Sequence, residues 1–452
     1  DNKDNKDNKD NKDNKDNKDN KDNKDNKDNK DNKDNKDNKD NISAGKNHNE
    51  HSSAAKNQSM KQQPMHIPVK IGFVDKNGQD ITPRGKSLLN LKSEKESFVF
   101  ENIDQGTIPS LFREFSAPVK IKTDFTDREL AFLMAYDTDE FSRWDAAQQL
   151  FLREIKSIVE RIKQNKNYQL SSHVTKAFQL SLCNAFADQA LIAKTLTLPG
   201  ENEIGEEFKE IDVDAVHKAR CFVKKTLARE LENDFLNIIS QCNTTTASDI
   251  SSRAMAERSL KNLALSYIGA LETEESSQMI HDRFMESANM TDEIATLAIL
   301  ADIDSTLCKD ALEKFYLKWN SDSLVIDKWF SVQAGSALPN TLENVKKLAC
   351  HQDFSLKNPN RIRALTGVFA TQNPVNFHRA DGKGYRYLAN QIIEIDPKNP
   401  QISARLVSAF NNWKRYDKKR QRLMQTELEK IMGIPVLSKD TYEIISKALD
   451  QL

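Results

Sequence analysis

The feature that most constrains the fold is a helical spacing of apolar residues that begins near Thr126 and continues through the remainder of the chain. Apolar side chains recur three or four residues apart, which places them on one face of an α-helix. Examples are Phe151-Ile155-Ile158-Ile162, Leu406-Phe410-Trp413 and Met424-Leu428-Ile431. A helical region of this length usually forms a stacked, curved array. Because no fixed-period repeat is present, the sequence predicts a mainly α protein with an irregular, HEAT-like superhelix over 124–452.

The last two helices carry recognisable end signals. Gly433, with Pro435 just beyond it, predicts the end of the helix that contains Met424. Ser438 is a suitable N-cap for a final helix that carries Tyr442 and Ile445.

Residues 64–123 show a different period. Val69, Ile71 and Phe73 alternate with Lys70 and Gly72, which is typical of a β-strand. Further short apolar segments lie at 89–91, 98–100 and 119–121, and prolines precede the last of them. These segments predict four or five antiparallel strands, fewer than the roughly seven of a complete sandwich, so we expect a partial β-sandwich.

The first 41 residues cannot build a core. They are thirteen Asp-Asn-Lys triplets followed by Asp40 and Asn41, and none is apolar. A period of three matches neither a strand nor a helix face, and 42–63 are equally polar, so we predict a disordered leader over 1–63. Of the 68 acidic and 67 basic residues in the chain, the triplets hold 14 and 13, which leaves 54 of each elsewhere. This balance argues against nucleic-acid binding through overall charge.

The common catalytic patterns are missing from the sequence. No two of the eight histidines have the i, i+4 spacing of the zinc motif H-E-x-x-H, and the nearest pair, His48 and His51, lies in the polar leader. There is no G-x-S-x-G elbow and no phosphate loop. We therefore expect no metal ligands, no bound cofactor and no catalytic residues in this chain.

The cysteines and the hydropathy pattern bear on location. Five widely spaced cysteines without a C-x-x-C pair predict scattered, buried thiols in a reducing cytoplasm. No apolar run approaches the roughly 20 residues that span a bilayer, and no signal-peptide h-region is present. We therefore expect a cytoplasmic protein without a membrane partner.

Three groups of polar residues have two interpretations each. The basic cluster at 414–422 could contact nucleic acid, but without a reading motif a solvated helix junction is favoured. Arg361 and Arg363 open an amphipathic stretch after Pro359. Gln401 and Arg405 lie one helical turn apart, a spacing that can hold carbonyl and carboxylate groups. From spacing alone, structural ion pairing is favoured for Arg361, Arg363 and Arg405.

Several ordered segments resemble one known family. They are EFSAPVK (114–120), FSRWDAAQ (141–148), NMTD (289–292), DKWF (327–330) with QA (333–334), NPNRIR (358–363), NP (373–374), FH (377–378), GY (384–385), KRYD (414–417) and KRQ (419–421). From about residue 64 onward, the chain closely resembles the C-terminal half of bacterial aminopeptidase N, in the M1 family of zinc metallopeptidases.

The resemblance implies that catalysis and peptide holding belong to different parts of the full-length enzyme. The family combines an N-terminal β-domain, a thermolysin-like catalytic domain, a small Ig-like β-sandwich and an α-superhelix that closes a peptide chamber. This chain looks like the later part of the sandwich, with its first strands missing, and the whole superhelix. The zinc motif and the exopeptidase motif belong to the other half, so zinc is expected only in the full-length family members. The resemblance places Arg363, Gln401 and Arg405 among the residues that hold the peptide beyond the scissile bond.

Three functional hypotheses follow. The first is a truncated aminopeptidase that supplies the lid and peptide channel and is inactive alone. The second is a non-catalytic helical module that binds peptides or proteins, including a separately encoded catalytic half. The third is the product of a disrupted gene without a selected role. None of them involves nucleic acid or a membrane.

Overall fold

The computed structural model describes residues 64–83, 87–185, 187–242 and 248–450. The predicted disordered leader, 1–63, lies outside these residues.

A small antiparallel sheet comes first. Its strands are β1 (Ile67–Val74), β2 (Asp80–Ile81), β3 (Leu88–Leu91) and β4 (Ile108–Leu111). The long strand β1 pairs with each of the other three, with Val69 opposite Leu89 and Phe73 opposite both Ile81 and Pro109. The strands predicted around 69–73 and 89–91 are therefore present.

Two predicted strands are absent from the described residues, and one strand was not anticipated. The segments 98–100 and 119–121 have no strand pairing. Instead, the Phe100 ring lies edge-on against Phe73 at 5.0 Å, so Phe100 packs on a residue of β1 without pairing as a strand. The unanticipated strand is β4, which contains Pro109. Proline donates no backbone hydrogen bond, but it is tolerated at a sheet edge.

Twenty α-helices follow within the described residues. They are α1 (Asp127–Tyr136), α2 (Glu140–Lys163), α3 (Ser172–Cys183), α4 (Gln189–Thr195), α5 (Glu201–Glu206), α6 (Val213–Glu230), α7 (Glu232–Gln241), α8 (Ser252–Gly269), α9 (Glu274–Met285), α10 (Met290–Ala301), α11 (Thr306–Trp319), α12 (Ser323–Gly335), α13 (Thr341–Leu348), α14 (Pro359–Ile362), α15 (Val368–Gln372), α16 (Pro374–Phe377), α17 (Lys383–Ile395), α18 (Pro400–Val407), α19 (Lys418–Met432) and α20 (Lys439–Asp450). A π-helical turn, Arg363–Gly367, joins α14 to α15. The prediction of a mainly α fold is confirmed.

The helix ends follow the sequence signals. Helix α19 ends at Met432, directly before Gly433. The Ser438 hydroxyl accepts a hydrogen bond from the Thr441 N–H at 3.3 Å, as expected of an N-cap. One predicted helix is shorter than its apolar spacing suggested, because α18 gives way to a 3₁₀ turn that contains Phe410.

Aromatic side chains form one centre of the helical core. Phe178 of α3 is fully buried and contacts the rings of Phe151, Phe235 and Tyr267, from α2, α7 and α8. The Tyr267 hydroxyl donates to the Leu196 carbonyl at 2.8 Å, so this buried polar group is satisfied. Helices that are distant in sequence therefore share one continuous apolar interior.

Candidate functional site

Helix α18 presents Gln401 and Arg405 on one exposed face. Pro400 occupies the first turn, and the Asn399 side chain accepts from the Ile402 N–H at 3.1 Å. Ile402 and other apolar residues of the opposite face are buried, which fixes the direction of the exposed face. Among the described residues, no hydrogen bond or ion pair engages the Gln401 or Arg405 side chain. The structural ion pair that spacing alone favoured for Arg405 is therefore not seen.

The two arginines of the NPNRIR segment have opposite environments. Arg361 is 5% exposed, its Nη1 lies 2.8 Å from Asp327 Oδ1, and its guanidinium stacks over the Phe330 ring. Arg363 is exposed and donates to Asn360 Oδ1 at 2.7 Å. Arg361 thus has the structural role that spacing predicted, whereas Arg363 is available to another molecule.

Arg363 also opens the π-helical turn between α14 and α15. Such turns often occur at functional sites. Within the described part of the chain, no hydrogen bond or ion pair joins Arg363 to Gln401 or Arg405, so these three residues do not form one hydrogen-bonded cluster.

This difference gives a matched test of stability. Arg361→Leu should lower the free energy of unfolding by about 3 kcal/mol, because it leaves the Asp327 carboxylate without its buried partner. Arg363→Leu should change it by less than about 0.5 kcal/mol, since an exposed side chain is lost. Urea unfolding followed by circular dichroism measures both. Equal losses in the two variants would contradict the assignment of roles.

Two residues of the basic cluster bind within the chain. Arg415 Nη1 lies 2.6 Å from Glu206 Oε2, and its Nη2 donates to the Phe208 carbonyl at 2.7 Å. Arg420 is buried and pairs with Asp214 at 2.6 Å. These arginines join α19 and the turn before it to the region of α5 and α6, as a helix junction requires.

A buried histidine, whose structural role was not predicted from the sequence, lies beside this junction. His378 Nδ1 is 3.0 Å from the Tyr385 hydroxyl, and Nε2 is 2.9 Å from the Tyr416 hydroxyl. Burial lowers the pKa of His378 to about 3, with a further contribution from the Arg420 cation. The ring is therefore neutral at physiological pH and acts as a structural connector. Local spacing carries no signal for it, because its partners come from α17 and from the turn before α19.

A cavity of about 810 Å³ that was not predicted from the sequence lies beside α6. One face of α6 lines it at i, i+3, i+4, i+7 and i+8 spacing. These residues are His217, Arg220, Cys221, Lys224 and Lys225. Small residues at the end of α8 and in α10, such as Gly269 and Ala298, line other walls and leave space. Such a polar helix face ordinarily indicates a solvated surface, and only tertiary packing shows that it borders a cavity.

The charges around the cavity are partly paired. His217 Nδ1 lies 2.7 Å from Glu201 Oε1, and contacts with the Cys221 thiol and the Glu201 carboxylate raise the pKa of His217 to about 10. Lys225 pairs with Glu272 at 2.9 Å. Burial lowers the pKa of Lys224 to about 8, because its ammonium is desolvated and Arg220 lies nearby.

All five thiols are free, but only Cys242 and Cys308 are buried, so the prediction of generally buried thiols is wrong for Cys183, Cys221 and Cys350. Between residues 64 and 450, within the described ranges, no group of three or more His, Cys, Asp or Glu side chains is placed to hold a metal ion. No described helix is long and apolar enough to cross a membrane.

Comparison with protein families identifies the helical region. Residues 127–450 match a family described as "Domain of unknown function (DUF3458_C) ARM repeats". This chain belongs to that family. The preceding match, over 48–124, is to the DUF3458 domain with an Ig-like fold. The match to helical repeats, preceded by a match to an Ig-like fold, confirms the predicted superhelix and partial sandwich. The boundaries predicted for these domains, 64–123 and 124–452, stay predictions.

Curated relatives of this DUF3458_C protein are bacterial aminopeptidases N. The chain is 40% identical to the Escherichia coli protein over 89% of its own length and 46% of that protein's length. For the Haemophilus influenzae protein the identity is 36%, over 86% of the chain and 45% of the relative. The chain thus spans about half the length of these relatives, and it corresponds to their C-terminal part.

Comparison with a solved structure also shows similarity to part of an aminopeptidase. The crystal structure of Legionella pneumophila aminopeptidase A in complex with aspartic acid matches with a TM-score of 0.76 and 31% identity. The match covers 86% of the DUF3458_C chain and 46% of that protein. The predicted resemblance to the C-terminal half of aminopeptidase N is therefore confirmed.

Proposed function

We propose that this chain forms the peptide-holding part of a zinc aminopeptidase, which removes N-terminal residues from peptides. The observation that carries the proposal is the 40% identity to the C-terminal part of an aminopeptidase N over 89% of the chain. In this proposal, the chain's part in the reaction is to hold the peptide.

The exposed face of α18 supports this role. Gln401 can donate to and accept from peptide backbone groups, and Arg405 can hold a carboxylate or carbonyl with its planar guanidinium. Both side chains are free of partners within the described residues, so binding a peptide breaks no contact of the fold. Arg363, equally exposed at the π-helical turn, supplies a second cation.

A hybrid enzyme tests the proposal directly. Residues 64–452 of this chain replace the corresponding C-terminal part of the Escherichia coli aminopeptidase N, and the hybrid should hydrolyse tetra-alanine. Arg405→Ala should raise its KM for tetra-alanine about tenfold, equivalent to about 1.4 kcal/mol of lost binding. The KM for alanyl-p-nitroanilide should change less than about twofold, since this substrate has no residues beyond the scissile bond.

The matched control is Arg422→Ala, which removes an exposed arginine from α19. It should leave both KM values unchanged. A folded hybrid without peptidase activity, or equal effects of the two substitutions on tetra-alanine hydrolysis, would refute the proposed role.

We also propose a cytoplasmic location and partners limited to peptides and the catalytic part of such an enzyme. Five free cysteines support a reducing compartment. The internal pairing of Arg415 and Arg420 removes two of the cations that a nucleic acid would contact.

A further inference from the structure

The cavity beside α6 contains cationic groups that the chain does not neutralise. Glu201 pairs with His217 and Glu272 pairs with Lys225, as the distances of 2.7 and 2.9 Å show. Arg220 uses its Nε to donate to the Pro199 carbonyl at 2.8 Å, and no hydrogen bond or ion pair among the described residues engages its two terminal nitrogens. The Lys224 ammonium likewise has no hydrogen bond or ion pair among the described residues.

The surroundings of Lys224 make this lack of a partner costly. Its Nζ lies 5.8 Å from the centre of the buried Tyr267 ring. Asp302 lines the same cavity and attracts Lys224 electrostatically, but it makes no hydrogen bond or ion pair with Lys224 among the described residues. Its carboxylate accepts the Ala337 N–H at 2.8 Å. One carboxylate therefore accompanies two cations without an ion pair, Lys224 and Arg220. A desolvated ammonium is stabilised strongly by a hydrogen-bonded anion. The cavity therefore has a place for one negative group.

The size of the cavity narrows the class of ligand. A volume of about 810 Å³ is typical of sites for small organic molecules and exceeds what a single ion needs. Ala270, Ala298 and Ile299 provide apolar or small walls opposite the cationic face of α6. A molecule that joins a carboxylate to a short apolar or peptide body matches this arrangement.

We propose that this cavity binds the carboxylate of a small ligand, with Lys224 and Arg220 contacting the carboxylate oxygens. The carboxylate comes from the C-terminus of a short peptide or from a free organic acid. Only the choice of a peptide rests on the function proposed above. The carboxylate site itself depends on the cavity alone.

The exposed thiol of Cys221 lines the same cavity and provides a readout without enzymatic activity. Iodoacetamide labels thiols, and mass spectrometry measures the labelling rate of each cysteine in the full chain. Cys183 and Cys350 are exposed but do not line the cavity, so they are internal references. At a ligand concentration about ten times its Kd, acetyl-trialanine with a free carboxylate should slow Cys221 labelling about tenfold.

Two comparisons identify the recognised group. The C-terminal amide of the same peptide should give no protection, because it lacks the charge. Succinate and free alanine form the second arm: protection by them but not by the peptide would assign the site to small organic acids. Equal protection by the acid and the amide, or no protection by any carboxylate, would overturn the proposal.

Matched variants locate the contact. Lys224→Met should abolish the protection, whereas Lys225→Met, which removes the neighbouring lysine that already pairs with Glu272, should keep it within about twofold. Ala298→Leu fills cavity space without removing a charge and should also abolish protection. If the ligand still slows Cys221 labelling to the wild-type extent in both the Lys224 and the Ala298 variant, it does not bind in this cavity. If the hybrid enzyme has no peptidase activity but the ligand still slows the labelling of Cys221, only the proposed function is refuted and the carboxylate site stands.

Discussion

Gly384→Ala is expected to lower the free energy of unfolding by about 3 kcal/mol, since the new methyl group meets a rigid obstacle. A Cβ at Gly384 would lie 2.2 Å from the Phe377 carbonyl oxygen and 2.9 Å from the Phe377 carbonyl carbon. These are backbone atoms, so no rotamer change relieves the overlap. Phe377 is itself fully buried against Phe369, Tyr385 and Phe410, which resists a shift of α16 away from α17.

Gly433→Ala is the matched control for this substitution. Gly433 follows α19 with a φ of −74°, and a Cβ there would lie at least 3.5 Å from its neighbours. Alanine should therefore be neutral or stabilise the chain by up to about 1 kcal/mol, because it restricts the unfolded state. Urea unfolding of both variants, followed by circular dichroism, provides the comparison. A Gly384 variant as stable as the Gly433 variant would show that the α16–α17 contact is looser than the structure indicates.

The helical framework was predictable because its signals are local. The apolar residues of α2 recur at helical spacing, and Phe151, Ile155 and Ile158 are all buried as that spacing requires. The end of α19 and the Ser438 cap depend on residues within one turn. Local signals fail in the sheet, where pairing decides which apolar segments become strands. Pro109 pairs with β1, but the run at 98–100 does not.

The candidate sites were only partly predictable, because partners distant in sequence determine burial. Arg361 and Arg363 have the same local pattern, yet only Arg361 meets the Asp327 carboxylate, 34 residues away in the chain. Gln401 and Arg405 were found because they lie on one helix, although their binding role came from family resemblance. The α6 cavity gave no sequence signal, since a polar face looks the same whether it borders water or a cavity.

The second large effect concerns acid. His378 should make the wild-type chain lose about 2 kcal/mol more stability between pH 7 and pH 5 than a His378→Gln variant loses. In the unfolded chain, histidine binds a proton near pH 6.5, but burial lowers the pKa of the folded His378 to about 3. Because its pKa is lower in the folded state, neutral His378 makes its full contribution to the stability of the fold at pH values above the unfolded pKa. That contribution is lost as the pH falls from about 6.5 towards 3.

The groups that face His378 do not titrate in this window. They are the Tyr385 and Tyr416 hydroxyls, whose pKa values burial raises, and the Arg420 guanidinium, which stays charged. His217 has the opposite sign: its raised pKa of about 10 confers stability below pH 6.5 that is lost only as the pH rises. The difference in pH-dependent stability between the wild type and the His378 variant therefore reports the protonation of His378 alone.

The measurement is the urea midpoint at pH 7, 6 and 5 for the wild type, His378→Gln and His66→Gln. His66 is exposed in its contact with Asn90, so its variant controls for the replacement of a histidine that is not buried. His378→Gln should be less stable at pH 7, because glutamine cannot span the Tyr385 and Tyr416 hydroxyls, and it should show a flatter acid profile. Parallel profiles for all three proteins would mean that His378 takes up its proton in the folded state, which burial of the ring and the adjacent Arg420 cation oppose.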